Sequence, residues 1–250
     1  MSKLADLIRR TTRIEGRRLG FGTAAAKSQS SITLVAIVQE RWAQGASEAA
    51  GAGADVLLLA GRPGDKDLSD AAAAAQEKPC GLLATEIDID RLAKLQDAGL
   101  DFVALDTHAP AGVFSNEKLG FVLHLREDLS DIQLRTLESL QLDALYLDAN
   151  PSPLTIARLM ELRRASGLAR KPLLLPVRHD AQQDELIALR DSGVTLLAID
   201  MKEKGAADAL KRLRGLIDAL PERRPRREEA REPLLPQAAV APSEEEEEED

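Results

Sequence analysis

Gly53-Ala54-Asp55-Val56-Leu57-Leu58-Leu59-Ala60-Gly61 decides the reading of this chain, because its outline comes back three times. It returns as Gly99-Leu100-Asp101-Phe102-Val103-Ala104-Leu105-Asp106-Thr107 and as Leu142-Asp143-Ala144-Leu145-Tyr146-Leu147-Asp148-Ala149. The last copy is Gly193-Val194-Thr195-Leu196-Leu197-Ala198-Ile199-Asp200-Met201. A glycine that closes a helix, followed by a short apolar run, marks the entry into a buried strand, and repetition on this scale sets the architecture before any local assignment.

Between the copies lie four further strand-like runs, at 32–40, 78–86, 118–126 and 171–179; Lys78-Pro79 and Lys171-Pro172 open two of them. Proline is at home in the first position of a strand. The repeated runs themselves place strands near 55–60, 101–106, 143–148 and 195–200. Helical periods separate them: Ile89, Leu92 and Leu95; Ile132, Leu137 and Leu140; Leu186 and Ile187; and Leu210, Leu213, Leu216, Ile217 and Leu220. Strand and helix alternating eight times predict a parallel sheet, either closed into a (β/α)₈ barrel or opened into a doubly wound sheet. The open form usually carries Gly-x-Gly-x-x-Gly after a strand. That motif is missing, so the reading is a single closed barrel over 32–220.

A short helix with Leu4, Leu7 and Ile8 on one side leads the chain, and a loop from Thr11 to Ser31 completes an N-terminal segment of residues 1–31. After Leu220 the composition turns to mixed charge, then Pro/Ala, then the acids Glu244 to Asp250. Such a stretch buries too little apolar surface to offset its ordering entropy, which predicts a disordered tail over 221–250. The tail solubilises the chain or contacts a basic protein surface.

The formal charge is −9, but removing those seven terminal acids leaves a body near −2, with no basic excess for nucleic acid. One cysteine, Cys80, excludes an internal disulfide and fits a reducing compartment. No stretch reaches membrane-spanning length, and the N-terminus has no signal-peptide core. A soluble cytoplasmic protein is the expectation.

Active sites of closed β/α barrels sit at the C-terminal ends of the strands. Alternation along 118–126 sends Phe121, Leu123 and Leu125 outward under the helices and His124 and Arg126 inward. Glu40, Glu86 and His179 are the matching positions of the other odd strands. The even strands end in Asp106, Asp148 and Asp200, with Ala60 breaking the series. As a site, Glu86, Asp106, His124, Asp148, His179 and Asp200 share acid–base roles, and Arg126, Arg178 and Lys202 hold an anionic substrate. A divalent ion such as Mg²⁺ or Mn²⁺ would suit this carboxylate rim. The alternative is structural: each Asp binds the backbone of its own loop, as in an Asx-turn, and Arg126 is a charge partner. His108, just past a strand end, either overhangs the mouth or is merely solvated.

Several chemistries lack their residues. There is no His-x-x-x-His or Cys-rich zinc spacing, no Schiff-base lysine inside a strand, and no Gly-x-Ser-x-Gly or Gly-x-x-x-x-Gly-Lys. The turns after strands 7 and 8 offer only Gly205, so the amide cradle for a phosphate is missing and flavin mononucleotide is disfavoured.

The Ala-Gly-x-Asp-x-x-x-Leu-Asp elements over 32–220 resemble the metabolic TIM barrels at large, the (β/α)₈ superfamily, without pointing to one family within it. The resemblance implies an enzyme by fold-level analogy. Two functions stay open: an enzyme using acid–base or lyase chemistry on a small anionic metabolite, and a non-catalytic degenerate barrel serving as an interaction scaffold.

Overall fold

Eight short runs of branched aliphatics can satisfy their backbone only by pairing with one another. In the computed structural model they do so as one closed parallel barrel in chain order, β1 through β8. The structure describes residues 2–12, 31–84, 86–126, 128–148 and 153–221. The strands are β1 (Thr33–Val38), β2 (Val56–Leu59), β3 (Cys80–Leu83), β4 (Phe102–Leu105), β5 (Gly120–Leu125), β6 (Ala144–Leu147), β7 (Leu173–Pro176) and β8 (Val194–Asp200). Closure comes from β1 pairing with β8, in a register that sets Val35 beside Ala198 and Ile37 beside Asp200. This is a TIM barrel.

Helices α2 (Trp42–Gly51), α3 (Asp65–Ala74), α4 (Ile89–Asp97), α5 (Asp131–Thr136), α6 (Ile156–Ala169), α7 (Gln183–Asp191) and α8 (Ala206–Asp218) follow the strands, and α1 (Lys3–Thr12) precedes them. Short 3₁₀ turns occupy Ala111–Ser115 and Leu137–Ser139. The expected helical face of Ile132, Leu137 and Leu140 is corrected: Leu134 and Leu137 are buried, while Ile132 and Leu140 are exposed. The helix gives way to a 3₁₀ turn after Thr136, so the period is never sustained. Thr11 and Thr12, placed in a loop by the sequence, continue α1. Residues 13–30, the rest of that loop, and 222–250, nearly all of the expected tail, lie outside the described residues.

Alternation along each strand divides the apolar residues into two cores. The outer one lies between sheet and helices and takes Phe121, Leu123 and Leu125. The inner one fills the barrel with Val35, Leu58, Phe102, Val122 and Tyr146, among others. Gly81 is inside because the Phe102 ring leaves no room: a Cβ there would stand 2.5 Å from it.

The first half of each repeat builds the lower end of the barrel. Gly53, Gly99 and Gly193 take φ of 101°, 87° and 97°, the left-handed turn that an L side chain resists. The aspartates that follow accept backbone amides: Leu34 N donates to Asp55 at 2.8 Å and Phe121 N to Asp143 at 3.2 Å. Asp101 accepts from Lys3 N at 2.7 Å and Leu4 N at 2.8 Å, capping α1. So anchored, α1 presses Leu4 and Ile8 into the inner core and stoppers the barrel. The strand-opening lysines serve this end too. Lys78 Nζ donates to Ala50 O and Ala54 O at 2.8 and 2.6 Å, and Lys171 Nζ to Leu140 O at 2.8 Å.

Candidate functional site at the barrel mouth

Because all eight strands run parallel, their C-terminal ends share one rim, and Asp106, Asp148 and Asp200 stand together on it. The centre lies on β5 and β6. His124 is 3% exposed and stacks on Tyr146 in the inner core, ring centroids 4.7 Å apart and planes at 16°. Its Nε2 lies 3.0 Å from Asp148 Oδ2, and the Asp148 side chain is 48% exposed. That contrast assigns the roles within the pair: Asp148 meets solvent, and His124 supports it from below.

Burial lowers the His124 pKa below its usual value; the Asp148 hydrogen bond and charge oppose this, Arg126 adds to it, and Asp106 opposes it. A ring with a lowered pKa is neutral at pH 7, and a neutral ring facing a carboxylate through Nε2 donates its proton there. Burial likewise holds the Tyr146 phenol above its usual range, helped by the charges of Asp148 and Asp200.

Asp106 and Asp200 bind their own loops. His108 N donates to Asp106 Oδ1 at 2.9 Å, and Lys202 N donates to Asp200 Oδ1 at 2.9 Å, both Asx-turns. The other oxygen of Asp200 takes Gln39 Nε2 at 2.6 Å. Nothing in the local sequence singles out Gln39: only barrel closure, which sets β1 against β8, brings it there. Val35 and Ile37 point inward, so Gln39 takes the inward place beyond β1. Glu40, expected there, is instead exposed, with its carboxylate 3.5 Å from Lys202 Nζ.

The remaining predicted residues spread around the rim. Glu86 is exposed, past the end of β3, and His108 is exposed on its loop. His179 Nε2 lies 3.2 Å from Glu203 but makes no hydrogen bond, so the two attract only when the ring is protonated. Arg178 is held by Glu185 at 3.2 Å and Asp180 at 3.3 Å. The same Glu185 carboxylate accepts Gln182 N at 3.0 Å, so an amide just before α7 meets a protein carboxylate. Arg126 differs: it is exposed and makes no ion pair among the described residues. Among those residues no group of three or more His, Cys, Asp or Glu is placed to hold a metal ion. Nor is any helix among them long and apolar enough to cross a membrane.

No protein-family model matches the chain, and no curated protein matches its sequence. Solved structures match its fold. KGPDC from Streptococcus mutans superposes with a TM-score of 0.61 at 11% identity, covering 76% of this chain and 98% of that one. A mutant tryptophan synthase alpha-subunit from Pyrococcus furiosus gives 0.58 at 13% identity, covering 75% and 97%. A 3-hexulose-6-phosphate synthase gives 0.56 at 18%, covering 74% and 99%. KGPDC has also been solved in complex with a small phosphosugar. At these identities the likeness is one of fold.

Proposed function

We propose that this chain is an enzyme acting by proton transfer, in acid–base or lyase chemistry, on a small anionic metabolite at the C-terminal mouth of the barrel. One observation carries the reading: a half-exposed Asp148 is bonded to a buried, neutral His124, with an unpaired Arg126 on the same strand as that histidine. In this reading Asp148 exchanges the proton and His124 is a positioning residue that fixes its carboxylate. Arg126 receives the anionic group of the substrate. Asp106 and Asp200 shape the loops around them. Glu86, His179, Arg178 and Lys202 stand outside this core of the site, and a divalent ion would need ligands from the substrate as well as the rim. The neighbours support the class of ligand, since one was captured with a phosphosugar and another is named for a hexulose 6-phosphate.

Calorimetric titration with small phosphate- and carboxylate-bearing metabolites tests this. The wild type should bind members of the panel, Arg126→Met should bind them at least about tenfold more weakly, as loss of one charged contact implies, and Asp148→Asn should bind but not turn over. Failure of every anion to bind would sink the proposal. The second reading, a non-catalytic scaffold, draws on the rim's internal pairs: Arg178 with Glu185, Lys202 with Glu40, and Gln39 with Asp200. It predicts no metabolite binding at all.

A further inference from the structure

The rim carries one arc that none of these roles uses. Three of the four repeats end in aspartate, and the fourth ends in Ala60, just past β2. Its neighbour β3 ends inward in Leu83. Both belong to the inner apolar core, Leu83 only partly buried. The backbone of Ala60 is committed: its N–H donates to Val38 O at 2.9 Å and its carbonyl accepts Trp42 Nε1 at 3.0 Å. What Ala60 offers the mouth is therefore a methyl group. Gly61 then turns the chain away at φ 91° without a side chain. In a closed ring of eight strands in chain order, β2 stands directly across from β6, which leads into Asp148. The mouth is thus split, with acids, His124 and Arg126 on β4 to β6 and aliphatic surface on β2 and β3.

Resting on the small-anion reading of this mouth, we infer that its substrate is an amphiphilic anion: a small acid whose charged group meets Arg126 and whose apolar portion lies on Ala60 and Leu83. A ligand that is polar throughout would leave this arc wet and gain nothing from it, whereas an apolar portion removes aliphatic surface from water on both sides. The repeat register makes Ala60 the specificity residue, because aspartate at that place would put a carboxylate against the apolar portion.

The test is a chain-length series, acetate, butanoate and hexanoate, titrated into the full-length wild type and into Ala60→Asn, Leu83→Ser and Arg126→Met. Fully burying a methylene strengthens binding about fourfold. Affinity should therefore climb steeply along the series in the wild type. Ala60→Asn and Leu83→Ser, checked for native circular dichroism, should each flatten the climb, and Arg126→Met should weaken every member. A flat series in a wild type that still depends on Arg126 overturns the inference and leaves the anion site standing. A climb that survives both arc variants also overturns it, because the apolar portion then lies elsewhere. Binding that ignores Arg126→Met, or no binding at all, removes the anion-site reading together with the inference.

Discussion

Replacing Arg126 by methionine separates a structural arginine from a ligand-binding one. An arginine locked to Asp106 or Asp148 inside the barrel would strand a carboxylate when removed, at a cost of about 3–5 kcal/mol. For a chain of this size that corresponds to a fall in Tm of roughly 6–20 °C. The structure points to a far smaller cost. Arg126 is exposed, it makes no ion pair among the described residues, and Asp148 already has His124 for its partner. Exposed substitutions of this kind change stability by about 0.5 kcal/mol or less, so the expected movement is within about 2 °C. Asp148→Ala is the internal contrast. It removes the partner of a histidine only 3% exposed, and an abandoned buried polar group costs about 1–3 kcal/mol. Differential scanning calorimetry on wild type, Arg126→Met and Asp148→Ala reads both numbers without ligand. A fall of more than about 6 °C in Arg126→Met would make the arginine structural, since only a desolvated ion pair reaches that size.

Further expectations concern other parts of the molecule. With the His124 pKa lowered by burial, the unfolded chain takes up the proton first, so the contribution of the neutral ring is full above about pH 6.5 and is lost as pH falls toward the folded value. Denaturant midpoints from roughly pH 8 to pH 5 should therefore fall more steeply in wild type than in His124→Phe, and parallel curves would exclude this. Leu4→Ala, in the helix that stoppers the barrel, should cost about 2–5 kcal/mol, because Leu4 is 1% exposed; a chemical-denaturation difference near zero would show that α1 is dispensable. The composition of residues 226–250 predicts that truncation after Arg224 leaves the unfolding midpoint within a few degrees, and a large drop would contradict that.

The even strands are legible because the repeat carries its own register: Asp55, Asp101 and Asp143 lead into β2, β4 and β6, and the next aspartate closes two of them. Alternation along β5 is likewise enough to turn His124 inward. The odd strands have no repeat to phase them, and there counting goes astray. Reaching to Glu40 overshoots a strand that ends at Val38, so the inward place goes to Gln39. Reaching to His179 runs past Pro176, where β7 stops. The partners of the rim cations lie beyond local reading altogether. Lys202 meets Glu40 only because the barrel closes. Arg178 meets Glu185 only after a loop turns into α7. The exposure of Asp148 above a buried His124 is a matter of depth, which alternation does not report.

The two aspartates of each repeat carry different burdens. The first of each pair holds backbone amides and, at Asp101, the stopper helix, so changing it threatens the fold. The second stands at the open end, where Ala60 shows that the chain closes without it. This makes the barrel a natural chassis for laboratory evolution. A library randomised at Gln39, Ala60, Leu83 and Arg126 would vary the chemistry of the mouth while the lower end keeps every member folded, and mutational tolerance should rise from one end of each strand to the other.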